Sequence, residues 1–382
     1  AAVAAARRGR SVCLLEKMFV LGGLATAGLV TVWLPLCDGR GRQVIGGLPE
    51  ELLRLSVRDL GRNRPGPKFL GVPACWEPGG DPEARKHTRY RVTFSPAAYT
   101  LALETLVLEN GIDLLYDTRV CAVERAGDRV RHLVIENQDG RGAVACGTVV
   151  DATGDANVCA LAGEETESLD TNVACGWFYV LENDDVRLIP LTKPFSSCAT
   201  REGSEGPFFR GDRAADVTGQ VLASRALLRE RLARERAEHP DADVQPVMIP
   251  SMSTFRMTRR LVGGFSLGER HVHHWFEDAV GLTGDWRKPG PVYALPLRCL
   301  QGVRSRNLLA AGRCISADTT AWDVTRAIPG CAATGTAAGV AAALAAERGG
   351  DAAGLDVHDV QSALRSAGAL LDPVLVAPRP CA

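Results

Sequence analysis

Residues 1–17, AAVAAARRGRSVCLLEK, contain the pattern that decides the fold. Ala1–Arg8 is rich in strong helix formers, and Gly9 stands where a helix commonly ends in a left-handed residue. Ser11–Leu15 is a short apolar run that predicts a β-strand, with Glu16 at its carboxyl end. In βαβ nucleotide-binding units, an acidic residue at this point binds ribose hydroxyls, and a glycine-rich turn before the helix binds pyrophosphate. The order helix, glycine, strand and glutamate therefore predicts a nucleotide-binding unit.

The chain begins at Ala1, after the position where the glycine-rich turn of such a unit is expected. We therefore expect a fragment of a nucleotide-dependent enzyme that is cut just downstream of its phosphate-binding loop. Because that loop and the helix after it bind the pyrophosphate, we also expect the fragment to be inactive as it stands.

The composition is that of an ordinary globular protein: 46% of the 382 residues are hydrophobic and 23% are charged. This length is typical of about two domains. Lys and Arg total 44 against 45 Asp and Glu, and no basic stripe indicates nucleic-acid binding. No membrane span or secretory signal is evident. We expect a cytoplasmic protein with a small-molecule substrate and with neither nucleic acid nor membrane as partner. The sequence leaves the oligomeric state open.

The rest of the chain alternates in the manner of an α/β protein. Residues 166–296 hold most of the aromatic side chains, and a small-residue helix is predicted in 328–350. We predict a Rossmann-like domain, with a central parallel sheet and a β-meander, interrupted by a mixed α+β substrate domain. The domains are predicted as 1–165 with 297–350, 166–296 for the insert, and 351–382 for a C-terminal helix and tail. Ser95 and Pro96 start a helix that Gly111 ends, and apolar strands follow at Ile112–Leu115, Arg119–Glu124, Val130–Glu136 and Ala143–Val150.

Six sequence blocks occur in a fixed order around the aromatic-rich insert. They are LLEK (14–17), GGLATAG (22–28), FSPAAYTLALETL (94–106), VVDATGDANV (149–158), NLLAAGRCIS (307–316) and TRAIPGCAATGTAAGVAAAL (325–344). With these blocks the sequence resembles the FAD-dependent oxidoreductase family with a glutathione-reductase-type flavin fold. Within that family it is most similar to a poorly characterised bacterial branch. The resemblance extends over nearly the whole chain.

The resemblance implies a non-covalently bound FAD and a set of residues that contact it. Glu16 would bind the adenosine ribose, the glycines after it would approach the pyrophosphate and flavin, and Arg313 would offer a charged fork to phosphate. The small residues of the helix after Pro329 would let its positive end approach the flavin, an interpretation that we favour over tight helix packing. The implied residues are Glu16, Lys17, Gly22, Gly23, Thr26, Gly28, Val120, Thr153, Gly154, Asp155, Gly312, Arg313, Thr334, Gly335 and Ala338.

Three choices stay open at this point. Either Thr26 or Thr31 could supply a hydroxyl near the cofactor. Asp155 could bind a ribityl hydroxyl or a water, or could cap the helix that follows it, and both are compatible. The arginines of FRMTRR (Arg256, Arg259 and Arg260) could bind an anionic substrate or form a solvated charge run.

The run HVHH at 271–274 invites a metal interpretation, since His271 and His273 are predicted on one strand face. No acidic or cysteine partner stands at a diagnostic spacing, and the twelve cysteines include no C-x-x-C, so we predict no metal site. His271 and His273 are instead catalytic candidates as proton donors in the pocket, because flavin reactions move protons together with hydrides.

These features predict an enzyme that moves two electrons between FAD and an unidentified small organic substrate. One alternative is an NAD(P)-binding dehydrogenase, which residues 1–17 alone do not distinguish from a flavoenzyme. The AGRC block at 311–314 and the glycine-rich helix after it favour flavin. The other alternative is a flavin fold that serves as a non-catalytic binding or assembly subunit.

Overall fold

The computed structural model describes residues 1–59, 70–191 and 200–378. The helices in these residues are α1 Ala2–Ala6, α2 Leu48–Val57, α3 Pro96–Glu109, α4 Asn157–Leu161, α5 Ala214–Glu238, α6 Thr319–Thr325, α7 Ile328–Glu347, α8 Val357–Ser366 and α9 Pro373–Val376. The strands are β1 Cys13–Leu15, β2 Val32–Trp33, β3 Val92–Thr93, β4 Asp113–Leu115, β5 Arg119–Ala126, β6 Arg129–Asn137, β7 Gly140–Ala145, β8 Val149–Asp151, β9 Thr166–Ser168, β10 Trp177–Glu182, β11 Asp185–Pro190, β12 Val244–Met248, β13 Arg259–Leu261, β14 Ala279–Gly284, β15 Val292–Pro296 and β16 Leu308–Ala310.

The parallel strands form two pairs. β1 pairs with β4, with Leu14 opposite Leu114, and β8 pairs with β16, with Val150 opposite Leu309. Helix α1 precedes β1, and Gly9 between them has a positive φ of 74°, as the sequence predicts. The other strand pairs among the described residues are antiparallel. Helices alternate with both kinds of pair, so the α/β class is confirmed.

A three-stranded meander of β5, β6 and β7 separates the two parallel pairs along the chain. The single strand predicted for Ala143–Val150 is wrong, because the chain changes partner within it. β7 ends at Ala145 and pairs with β6, whereas β8 begins at Val149 and pairs with β16. Asn307 bonds to the chain on both sides of this change of partner. Its side-chain Nδ2 donates to the carbonyl oxygen of Gly147 at 2.9 Å, and its backbone carbonyl oxygen accepts from the N–H of Val149 at 2.9 Å.

Helix α7 runs through the main core. It is the one helix among the described residues that is long and apolar enough to cross a membrane, yet 83% of its apolar stretch is buried by the elements around it. Helix α1, strand β14 and helix α8 pack directly on it. Its composition of Ala and Gly follows from this crowding, because small side chains let neighbouring backbones approach closely.

A separate, smaller hydrophobic cluster lies among the described residues from Trp177 to Met248, and we call this part of the chain the lobe. Here α5 covers the sheet of β11, β10 and β12. The buried members of the cluster are Phe178, Val180, Ile189, Leu228 and Val244. β14 and β15 pack in the main core instead. The domain boundaries given by the sequence stay a prediction.

Candidate functional site

Glu16 lies at the carboxyl end of β1, where open α/β sheets bind ligands. Its N–H donates to the carbonyl oxygen of Leu115 at 2.9 Å, and its carboxylate accepts from the N–H of Met18 at 2.8 Å. The side chain is half-buried, and this burial raises the pKa of Glu16 above its ordinary value of 4.5. Lys17 beside it is exposed, with its ammonium nitrogen 3.7 Å from Oδ2 of Asp155. Glu16 therefore lies at the end of the strand that the sequence predicts, and its contact with ribose stays a prediction.

A tight loop at residues 22–28, which we call the glycine loop, comes after Glu16 in the chain. Gly22 and Gly23 have φ angles of 99° and 53°, a region that favours glycine. A Cβ at Gly22 would lie 2.7 Å from Cγ2 of Thr26, and a Cβ at Gly28 would lie 2.9 Å from Cα of Leu24. A Cβ at Gly23 would meet no atom within 4 Å. Gly22 and Gly28 are thus fixed by the packing of the loop, whereas the position of a Cβ at Gly23 is open space.

The two threonine hydroxyls near this loop have different partners. Thr26 is buried, and its Oγ1 donates to the carbonyl oxygen of Leu21 at 2.5 Å, which closes the loop. Thr31 accepts the hydroxyl hydrogen of Tyr179 in β10 at 3.2 Å. The hydroxyl of Thr26 is therefore used within the loop, and Thr31 connects the loop region to the lobe.

A second contact joins the lobe side to the glycine loop: the N–H of Ser251 donates to the carbonyl oxygen of Ala27 at 2.9 Å. Sequence reasoning missed both Tyr179 and Ser251. Tyr179 and Thr31 are 148 positions apart, and no local pattern of residues marks a contact over that separation.

The turn at 153–155 follows β8. The buried carboxylate of Asp151 holds it by accepting from the N–H of Thr153 at 3.0 Å and from its hydroxyl at 2.7 Å. Thr153 Oγ1 in turn accepts from the N–H of Asn157 at 3.1 Å. Asp155 is not the N-cap of α4, so the alternative that its side chain caps this helix is wrong. Thr153 satisfies the helix N–H instead, and the ribityl contact of Asp155 stays a prediction.

Arg313 lies in the turn after β16, where the resemblance places a phosphate contact. Its Nη1 donates to the carbonyl oxygens of Phe255 at 3.0 Å and Arg256 at 3.2 Å. Its Nη2 lies 3.6 Å from Oδ1 of Asp155, and its side chain is only 13% exposed. The structure thus directs this guanidinium at protein groups, and the phosphate contact stays a prediction.

The loop after β16 is also tied to α7. Gly312 has a φ of 70°, and its N–H donates to Oγ1 of Thr334 at 2.9 Å. Gly335 and Ala338 are buried in the same helix, and a Cβ at Gly335 would lie 3.4 Å from the nitrogen of Ala1. Gly335 thus lies beside the N-terminus of the chain, at a distance where a Cβ would make ordinary contact. The predicted contact of these residues with flavin stays a prediction.

Val120 belongs to β5, where it is half-buried and lies opposite Ile135 of β6. It therefore forms part of the meander. The resemblance assigns its backbone to the adenine, and that assignment stays a prediction.

The two candidate histidines lie in a short 3-10 turn and the loop after it. Nδ1 of His271 accepts from the N–H of Gly268 at 2.8 Å, and burial and the nearby Arg270 lower the pKa of His271. His273 has a φ of 60°, and its Nδ1 lies 2.7 Å from the carbonyl oxygen of Val376. The predicted strand with both rings on one face is wrong, because this φ is incompatible with extended backbone. The described residues contain no group of three or more His, Cys, Asp or Glu that could hold a metal ion.

The arginines of FRMTRR do not form a solvated charge run. Arg256 and Arg260 are buried, and Arg260 pairs with Glu167 of β9 at 2.5 Å. Arg259 donates to the carbonyl oxygen of Asp155 at 2.9 Å. The solvated alternative is therefore wrong, and recognition of an anionic substrate stays a prediction.

The chain matches the family model described as FAD dependent oxidoreductase over residues 1–174 and 214–364. It belongs to this family. The matched ranges include β1, the glycine loop, the turn at 153–155 and the loop that carries Arg313. Family membership favours flavin over the NAD(P) alternative. The glutathione-reductase-type subclass, the truncation and the inactivity of the fragment stay predictions.

The solved structures that match this chain have low sequence identity to it. CabE, an aromatic hydroxylase from angucycline biosynthesis, is 12% identical with a TM-score of 0.43, and the match covers 96% of this chain and 63% of CabE. A geranylgeranyl bacteriochlorophyll reductase-like protein from Thermoplasma acidophilum is also 12% identical with a TM-score of 0.43, over 96% of this chain and 78% of that protein. A comparison with curated protein sequences found no significant match.

Proposed function

We propose that this chain is the flavin-binding body of an FAD-dependent oxidoreductase that passes two electrons between flavin and a small organic substrate. The position of Glu16 carries the proposal. Glu16 follows the last residue of the parallel strand β1, and its half-buried carboxylate accepts a hydrogen bond from the N–H of Met18. An ionised carboxylate offers about four lone-pair sites, so it can accept ribose hydroxyls as well.

The residues around Glu16 fit a dinucleotide in part. The open backbone at Gly23 allows close approach of a phosphate or ribityl group, and no side chain there stands in the way. The hydroxyl of Thr26 and the Nη1 of Arg313 already have protein acceptors, so they are the weaker candidates for cofactor contacts. We therefore assign ribose binding to Glu16 and close backbone approach to Gly23.

Bound FAD would supply a two-electron acceptor or donor. The chain's own contribution is to orient it and to exclude water on the lobe side of the glycine loop. Tyr179 and Ser251 serve the second role, since they hold the lobe and the segment after it against Thr31 and Ala27. The small-molecule substrate would then bind between the loop and the lobe. A cytoplasmic location without nucleic acid or membrane partners belongs to the same proposal.

The test is the colour and redox behaviour of the purified full-length gene product after incubation with FAD. The proposal expects a yellow protein whose flavin absorbance is bleached by dithionite and restored by air, and Glu16→Gln should weaken FAD binding about tenfold. Glu124→Gln, an exposed position on β5, is the matched control. A colourless protein that FAD does not reconstitute would overturn the proposal. Bound flavin that no organic substrate reduces or reoxidises would favour the non-catalytic subunit.

A further inference from the structure

Two arginines, Arg313 and Arg259, connect the turns after β8 and β16 with the segment that leads into β13. From the β16 side, Arg313 Nη1 donates to the carbonyl oxygens of Phe255 and Arg256 at 3.0 and 3.2 Å. From the other side, Arg259 donates through Nε to the carbonyl oxygen of Asp155 at 2.9 Å and through Nη2 to Oδ1 of Asn157 at 2.7 Å. Arg313 thus bonds to the segment that carries Arg259, and Arg259 bonds to residues 155–157, where Oδ1 of Asp155 lies 3.6 Å from Arg313.

Gly154 lets the first of these arginines reach its acceptors. A Cβ at this position would lie 2.3 Å from Arg313 Nη2, so only glycine leaves room for the guanidinium. The φ of 77° at Gly154 also favours glycine. The backbone of Arg313 is held as well, because Nε1 of Trp322 donates to its carbonyl oxygen at 2.8 Å. The arrangement is therefore fixed from several sides.

The segment that the arginines hold connects the lobe to the main body. We call residues 249–259 the return segment, since it leads from the end of β12 to the start of β13. Near its start, Ser251 bonds to Ala27 in the glycine loop. Near its end, Phe255, Arg256 and Arg259 make the contacts described above. Loss of either arginine would therefore change the position of the lobe relative to the glycine loop, because the return segment connects the two.

We propose that Arg259 and Arg313 form a reciprocal clamp on the return segment, which sets the position of the lobe over the loop at residues 22–28. In this proposal Arg313 is a positioning residue, and contact with a cofactor phosphate is not its role. The physical basis is the donor count: a guanidinium has five N–H donors, and its bonds to carbonyl oxygens are charge-assisted. The importance of that position rests on the proposed function, because it assumes that the glycine loop contacts the cofactor.

The experiment is hydrogen–deuterium exchange of the full chain without added flavin, comparing Arg313→Met and Arg259→Met with the parent. The proposal expects amides of the return segment and of β10 to exchange about tenfold faster in either variant, the effect of losing a charge-assisted hydrogen bond. The double variant should exchange little faster than the single ones, because either loss opens the clamp. Arg348→Met, which removes an exposed pair with Asp359, is the matched control and should leave this region unchanged.

A second measurement separates the clamp from a phosphate contact. If Arg313→Met left exchange unchanged but weakened binding of ADP about tenfold, the clamp would be overturned and the phosphate contact supported. Should Arg313→Met fail to fold, unchanged exchange in Arg259→Met would equally reject the clamp. The exchange result does not depend on flavin, so a parent protein that fails to bind FAD would reject the proposed function without deciding the clamp.

Discussion

The carbonyl oxygen of Ala1 lies against Gly339 of α7, so close that a Cβ at Gly339 would be 2.2 Å from it. This contact sets how α1 approaches the central helix. α1 is only five residues long and packs on α7 along the Ala and Gly face of that helix. The packing of α1 on α7 thus depends on Gly339, where no side chain fits.

Gly339→Ala should therefore destabilise the protein, although Ala is the better helix former by about 1 kcal/mol. We expect a net loss of about 1–3 kcal/mol in the free energy of unfolding, because the added methyl forces α1 away from α7. Urea unfolding monitored by circular dichroism measures it. Gly264→Ala is the control, since a Cβ there meets no atom within 4 Å and should change stability little. A Gly339→Ala protein as stable as the parent would contradict the packing.

Gly154→Ala should also be destabilising, for two separable reasons. The φ of 77° is unfavourable for Ala, and the new Cβ would overlap Arg313. We expect a loss of about 2 kcal/mol from the two effects together. A double-mutant cycle with Arg313→Ala measures the steric part, because truncation of the arginine frees the space. Additive effects of the two substitutions would show that the close approach has no energetic consequence.

The pH dependence of stability should carry the signature of Glu16. Burial raises its folded pKa above the ordinary value of 4.5, so between these two values the folded state binds a proton that the unfolded state has already lost. Stability contributed by this group is therefore present at low pH and is lost as pH rises through the folded pKa. Glu16→Gln should remove that slope in denaturation curves recorded from pH 4 to 7.

Glu51 provides the comparison of opposite sign. Its carboxylate accepts hydrogen bonds from both terminal nitrogens of Arg7, at 2.6 and 2.7 Å, and these bonds lower the pKa of Glu51. Its contribution is present above the unfolded pKa and is lost as pH falls through the folded one. Glu51→Gln should therefore lower stability at pH 7 and have little effect at pH 3. Slopes of the same sign for the two variants would contradict these assignments.

Tyr179→Phe should loosen the contact between the lobe and the glycine loop. The substitution removes only the hydroxyl that donates to Thr31, with an expected cost of about 1 kcal/mol. Thr31→Val removes the acceptor, and the coupling energy between the two variants should be of similar size. Tyr116→Phe, at a partly exposed tyrosine bonded to Glu104, is the matched control. No coupling between Tyr179 and Thr31 would show that the hydrogen bond does not stabilise the lobe.

The sequence was informative where the relevant signal is local. Ser95, Pro96 and Gly111 predict the limits of α3, and the structure has this helix at Pro96–Glu109 with Ser95 accepting from the N–H of Ala98. Likewise the helix, glycine and strand of residues 1–17 lie where the pattern predicts. Caps, left-handed glycines and apolar runs act within a few residues, so they are readable in a single sequence.

The sequence was uninformative where distant segments meet. Nothing near Arg313 in the chain indicates that its acceptors are Phe255 and Arg256, 58 and 57 positions away. The strand predicted around His273 is wrong for a related reason, since a bond from its N–H to Val292 and the contact with Val376 hold it in a left-handed conformation. Tertiary contacts of this kind override local preference, and one sequence does not record them.

The pairing of β8 with β16 also constrains the order in which parts of the protein can fold during synthesis. Val149 lies opposite Leu308, so ribosomal synthesis must produce every residue between them before this ladder can form. Closing so long a loop is entropically costly and slow. The cluster of the lobe lies wholly within that interval, between Phe178 and Val244, and can collapse first. During translation β8 would therefore stay unpaired until residues 308–310 have been made, and an unpaired strand edge is prone to non-native association.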